Sequence, residues 1–152
     1  MAADSSPVDL PPEELAAWLN DRVKDTLMEP LGIRAVEVGP QRSVAEFEVG
    51  PKVKTRTGYL HPGAMISLDN TATYLAVAHI KGSYDGLARF PVAIGLSSQI
   101  VSNVQEGIVR AESQVVHGGK TLIVVETRVT SGEGRLLAVV NTTHFVRDGG
   151  RE

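Results

Sequence analysis

The sequence predicts a single α+β domain: an amphipathic helix, one or two strands, a buried helix, then four antiparallel strands. Three observations predict it. Apolar residues recur at helical spacing in 12–28 and 62–80. Apolar and polar residues alternate in 43–49 and again through most of 92–146. The connections between the late strands are short and rich in glycine, as antiparallel hairpins require. Strands segregated from helices in this way argue for α+β.

At 152 residues, with 42% hydrophobic and 22% charged residues, the chain suits one domain with a full core. The expected domain runs over 11–147, between a disordered start at 1–10 and a short tail at 148–152. A net charge of -3 provides no general attraction for nucleic acid, so no nucleic-acid partner is expected. The absence of cysteine excludes disulfides, thiolate metal ligands and a cysteine nucleophile. The start, Met1-Ala2-Ala3-Asp4-Ser5-Ser6-Pro7, does not read as a signal peptide, and no apolar run reaches spanning length. A cytoplasmic location without a membrane span is the expectation.

Pro11-Pro12-Glu13-Glu14 favours a helix start, because proline suits the first turn and carboxylates its dipole. Leu15, Trp18, Leu19, Val23 and Leu27 continue the helical spacing, and Pro30 and Gly32 stop it. Trp18 is expected to pack rather than to cover a groove. An extended piece at 33–38 precedes the alternation Ala45, Phe47, Val49 against Glu46 and Glu48. Lys52, Lys54 and Arg56 fall in the next, solvated connection. In the second helix Met65, Leu68, Ala72, Leu75 and Ala76 line one face, with Ile66 and Val77 on another side. A helix apolar on most sides is surrounded by protein. Asp85-Gly86 and Pro91 mark the next loop. Strands at 92–101, 107–116, 121–130 and 135–146 then read as a meander, turning at His117-Gly118-Gly119-Lys120 and Ser131-Gly132-Glu133-Gly134.

The most informative stretch is Gly58-Tyr59-Leu60-His61-Pro62-Gly63, running into Ala64-Met65-Ile66-Ser67-Leu68-Asp69-Asn70-Thr71-Ala72. It is a turn opening an apolar helix that carries one carboxylate. A polar group on a buried helix is costly unless it is paired or used.

This stretch, with Ala93-Ile94-Gly95-Leu96-Ser97-Ser98, Gly107-Ile108-Val109-Arg110 and Gly134-Arg135-Leu136-Leu137-Ala138, resembles the hotdog-fold thioesterases. The nearest kinds are the phenylacetate-pathway-like and 4-hydroxybenzoyl-CoA-like enzymes. The resemblance covers roughly 34–147. It implies a long central helix wrapped by a curved antiparallel sheet. It also implies a homodimer or homotetramer with acyl-CoA in the interface, and no cofactor beyond the CoA of the substrate.

Thioester hydrolysis needs a carboxylate that attacks or activates water, and N–H donors for the oxyanion. The family takes the donor from the first glycine after its histidine and the carboxylate from nine residues beyond it. Here those positions are Pro62, which has no N–H, and Asn70, which is no base. An upstream family Asn or Gln corresponds to Thr55. Two readings stay open. In one the turn shifts by a residue, so that Gly63 supplies the N–H and Asp69 the base. Thr73, four residues on, then holds water or the carboxylate. At about 100° per residue, Asp69 lies beside the apolar stripe and Asn70 nearly opposite its centre. In the other reading the site binds acyl-CoA without hydrolysis, with Asn70 on a substrate carbonyl. A weaker option is a hotdog dehydratase pairing His61 with Asp69. His61 is expected mainly to support the turn. Ser97 and Ser98 are candidate substrate contacts. Lys54, Arg56, Arg89 and Lys120 are candidates for the CoA phosphates. The four histidines lack metal-ligand spacing, so no metal is expected.

Overall fold

A computed structural model describes residues 6–86 and 88–147. Helix α1 (Pro12–Asn20) and the single turn α2 (Met28–Leu31) lead into strands β1 (Arg34–Val38) and β2 (Arg42–Glu48). The central helix comes in two pieces, α3 (Pro62–Ile66) and α4 (Asn70–His79), joined by a 3₁₀ segment at Ser67–Asp69. Strands β3 (Pro91–Ile100), β4 (Ile108–Gly118), β5 (Leu122–Ser131) and β6 (Leu136–Val146) complete the chain.

One six-stranded antiparallel sheet results, in the order β1-β2-β4-β5-β6-β3. It curls around α4, which touches all six strands. This is the α+β hotdog arrangement that the sequence predicts. Alternation puts Ile123, Val125, Thr127 and Val129 of β5 on the buried face, as expected. Ala72, Leu75 and Ala76 of α4 pack on Ile123 and Val125. Met65 and Leu68 pack in a second cluster with Phe47 and Leu137. Among the described residues no helix is long and apolar enough to cross a membrane.

Three expectations need correction. First, the leading helix ends at Asn20, not near residue 28. The Asn20 side chain leaves the helical pattern to bond both backbone groups of Ala35, donating to its carbonyl and accepting from its N–H, each at 2.8 Å. That clamp fixes α1 on the outer edge of β1. Gly32, in the left-handed region at φ 69°, then ends α2 as a C-cap glycine should.

Second, the late strands are not one meander. β4, β5 and β6 are, but β3 pairs with β6 at the far edge. The segment 101–107 is too long for a hairpin and crosses the end of the sheet. Val101 and Ser102 donate to the Leu137 carbonyl, and Val49 donates to that of Gly107.

Third, part of the segment expected to be disordered has structure: Pro7–Asp9 forms a 3₁₀ turn and Leu10 packs on the α1 cluster. The remaining residues, 1–5, and the expected tail, 148–152, lie outside the described residues.

Candidate functional site

The turn before the central helix is held by backbone and by one amide. Lys54 and Leu60 form an isolated antiparallel bridge around a loop in which Gly58 takes φ 87°. His61 donates its N–H to the Val53 carbonyl at 2.8 Å, and Leu60 donates to Val104 at 2.9 Å. Asn103 donates from Nδ2 to the Leu60 carbonyl at 3.0 Å, and Arg135 in turn bonds the Asn103 carbonyl at 2.6 Å. Asn103 and Arg135 thus position His61. Sequence reading missed both, because no local pattern ties 103 to 60. Thr55 belongs to this loop: its hydroxyl meets that of Thr57 at 2.7 Å, an arrangement that tightens the turn.

His61 is the N-cap of α3. Its Nδ1 accepts from the Gly63 N–H at 2.9 Å, so the neutral ring carries its proton on Nε2. Pro62 has no N–H, and Ala64 donates to the His61 carbonyl at 2.9 Å. The donors of this helix end are therefore all engaged within the turn. A side chain at 63 would meet the imidazole at 3.0 Å, so glycine lets the ring lie close.

Ser67 returns its hydroxyl to the Gly63 carbonyl at 2.8 Å, a back-bond that bends helices. There the helix tightens: the Asn70 N–H reaches the Ser67 carbonyl, three residues back. A 3₁₀ turn advances about 120° per residue against about 100° in an α-helix, so three residues rotate Asp69 by about 60° more than a regular helix would.

Asp69 is half-buried. Among the described residues it makes no ion pair, and no other side chain bonds its carboxyl. Loss of water pushes its carboxyl up to about 6, with the Asn70 backbone N–H offsetting a little. An ionisable group that is desolvated, unpaired and still partly accessible has the character of a general base.

Asn70 and Thr73 line a cleft of about 430 Å³ together with Trp18, Tyr74, Tyr84 and Phe90. Asn70 lies off the main apolar stripe, and α1 and the loop carrying Tyr84 cover that side. Its Nδ2 is buried and without a hydrogen-bond partner. Trp18 lines the same cleft, beyond the packing role expected of it. Its partner Tyr84 lies 66 residues away by number (84 − 18), so sequence periodicity carried no signal of their meeting.

The other candidates are dispersed. Ser97 and Ser98 sit on β3 opposite Asn141 and Val140. Arg89 is exposed, at φ 46°, in the loop before β3. Lys120 is exposed in the β4–β5 turn, and Arg56 is exposed in the loop before His61. Lys54 borders a polar surface depression with Glu48 and Arg135. His144 is fully buried on β6, with Nε2 3.0 Å from the Thr142 hydroxyl. Burial pushes its pKa down, and the Pro91 carbonyl offsets part of that.

Residues 57–138 match the model of the thioesterase superfamily. ComA2 of Bacillus subtilis (strain 168), whose esterase name is provisional, is 33% identical over 121 residues, covering 80% of this chain and 94% of that protein. The 1,4-dihydroxy-2-naphthoyl-CoA hydrolase of Listeria monocytogenes is 28% identical, covering 80% of this chain and 95% of its own. Thioesterase HI1161 of Haemophilus influenzae shares the fold at a TM-score of 0.80 and 19% identity, over 88% of this chain and 90% of that one. Zebrafish thioesterase superfamily member 2 does so at 0.77 and 19%, over 91% and 100%. The matched family segment contains the turn from residue 57 onward, the central helix and strands β3, β4 and β5, and the chain belongs to the thioesterase superfamily.

Proposed function

We propose that this protein hydrolyses acyl-CoA thioesters, with Asp69 as the base. The observation that carries the reading is the Asp69 carboxylate: desolvated, unpaired and raised to about 6, on the central helix of a thioesterase-superfamily chain. The 3₁₀ segment supports the shift of one residue. Regular winding would leave Asp69 about 100° behind the ninth position after His61, and the tightening recovers about 60° of it.

In the reaction, the Asp69 carboxylate takes a proton from a water molecule as its oxygen attacks the thioester carbonyl. The tetrahedral oxyanion accepts an N–H bond. Collapse breaks the C–S bond, releasing the carboxylic acid and the CoA thiolate, which takes up a proton. The Gly63 N–H serves the oxyanion once His61, whose side chain is exposed, turns Nδ1 aside. Thr73, one turn beyond Asp69, orients the water.

The site is completed by a second copy of the chain. β3 is an edge strand with Ile94 61% exposed and Leu96 and Ile100 also exposed, and Val101 directly after it is 61% exposed. An apolar, unpaired edge of this kind requires cover. At the opposite edge, Asn20 already occupies the backbone of Ala35. Sedimentation is expected to give a dimer or a higher even assembly, and Leu96→Lys to shift it toward monomer.

The engaged Gly63 N–H and the missing one at Pro62 favour a second reading, in which acyl-CoA is bound but not cleaved. Free-thiol release from short, medium, long and aryl acyl-CoAs decides between them. Turnover lost in Asp69→Asn supports hydrolysis. Saturable binding with no thiol release supports the second reading.

A further inference from the structure

We propose that Asn103 is a positioning residue for the reaction: its side chain sets the turn that carries His61 and the Gly63 N–H, and the hydrolytic rate depends on that setting. Its effect on rate rests on the thioesterase reading and deepens it by adding a residue outside the central helix.

The turn is held on two sides. On one side the contacts lie within a single stretch of chain. Thr55 donates its N–H to the Tyr59 carbonyl at 2.8 Å, and His61 donates to the Val53 carbonyl at 2.8 Å. On the other side the turn leans on the crossover 101–107. Leu60 donates its N–H to the Val104 carbonyl at 2.9 Å, and its carbonyl accepts from Asn103 Nδ2 at 3.0 Å. Both backbone groups of Leu60, the residue before His61, are thus bonded to the crossover. Among the described residues, Asn103 is the one side chain from outside the turn that bonds the backbone of 58–62.

The anchor is itself fixed. Asn103 Oδ1 accepts the Val104 N–H at 2.7 Å while Nδ2 donates to Leu60. Each amide atom fills the only role it can, and the reversed amide would set donor against donor and acceptor against acceptor. Arg135, directly before β6, bonds the Asn103 carbonyl at 2.6 Å. Val101 and Ser102 donate to the Leu137 carbonyl at 2.8 and 3.2 Å, and Val104 packs on the cluster of Phe47 and Leu137. The crossover is therefore tied to β6 on both sides of Asn103.

Leu60 is fully buried, so its carbonyl finds no water when Asn103 is removed. Rotation of the turn relieves that loss, and it carries His61, one residue on, and Gly63, three on. A misplacement of about 1 Å at a reacting group costs up to about a hundredfold in rate.

The test uses full-length Asn103→Leu and Asn103→Asp. Leucine removes both amide bonds. Aspartate keeps the size and the Val104 contact but sets an oxygen against the Leu60 carbonyl. Amide hydrogen exchange at Leu60 and His61 is expected to quicken about tenfold in both variants, with Leu75 and Val77 of α4 unchanged. For an acyl-CoA that the wild type hydrolyses, kcat is expected to fall about tenfold with KM within about twofold, the pattern of lost alignment rather than lost binding. Exchange at Leu60 and His61 that stays at the wild-type rate, or that quickens equally in α4, overturns the proposal. An unchanged kcat in a variant whose turn exchanges faster overturns it as well. If Asn103→Leu does not fold, the isosteric Asn103→Asp decides. A wild type without turnover rejects the thioesterase reading, and with it the effect on rate. Exchange at Leu60 and His61 then decides separately whether Asn103 sets the turn.

Discussion

The imidazole of His61 accepts the Gly63 N–H at 2.9 Å, so the residue that opens the central helix holds the N–H proposed to serve the oxyanion. As an N-cap the contact contributes about 1 kcal/mol. The same bond must be broken whenever Gly63 donates to an oxyanion.

His61→Ala should therefore cost about 1 kcal/mol, a fall of about 2–4 °C in Tm for a chain of this size. Its effect on kcat should be far smaller than that of Asp69→Asn. Thermal unfolding and thiol release on the same samples check both statements. A loss of activity equal to that of Asp69→Asn would instead make His61 part of the chemistry.

The proposed role of Asp69 sets an expected pH profile. A base must be ionised, and this carboxyl is raised to about 6 by loss of water. kcat/KM should therefore rise with pH and level off above about 7, with a midpoint near 6 rather than near 4. A midpoint at the ordinary carboxylate value would remove Asp69 from the rate equation.

The same shift has a stability consequence of opposite sense. A carboxyl raised in the folded state binds protons there more tightly than in the unfolded chain. Stability is then full below about pH 4 and falls as pH rises to about 6. A shift of about two pH units corresponds to at most about 3 kcal/mol, and partial exposure lowers this to about 1–2. Asp69→Asn should thus be more stable than the wild type by that amount at pH 7–8, and equal to it below pH 4. Denaturant unfolding at both pH values reads the difference. Equal stability at pH 8 would mean that the carboxylate is not desolvated.

His79 ties three parts of the fold together. Its Nδ1 donates to the Pro40 carbonyl at 2.8 Å, and its Nε2 would lie 2.4 Å from a Cβ at Gly118. Gly118→Ala should cost about 1–3 kcal/mol through overpacking. In the His79→Ala background the same change should cost much less, since the clashing ring is gone. A double-mutant cycle in urea measures this, and additive losses would contradict it.

How far the sequence reveals this molecule follows from which contacts are local. Alternation and spacing locate both long helices and all six strands, because burial faces are set by period. Where α1 ends depends on Asn20 reaching Ala35, and which strand β3 joins depends on contacts such as Val101 with Leu137. Neither leaves a periodic trace. Asp69 stands out as the lone carboxylate on an apolar helix. The cleft does not, because Trp18 and Tyr84 meet only after folding, where the side-chain nitrogen of Asn70 is covered.

The most direct measurement is free-thiol release by wild-type protein and by Asp69→Asn, across the acyl-CoA panel at pH 8, with unfolding curves confirming that both are folded. Turnover of at least one ester by the wild type is expected, with a loss of about a hundredfold or more in the variant, the range for removing a general base. Equal turnover by the two folded proteins would contradict the role of Asp69 as the base.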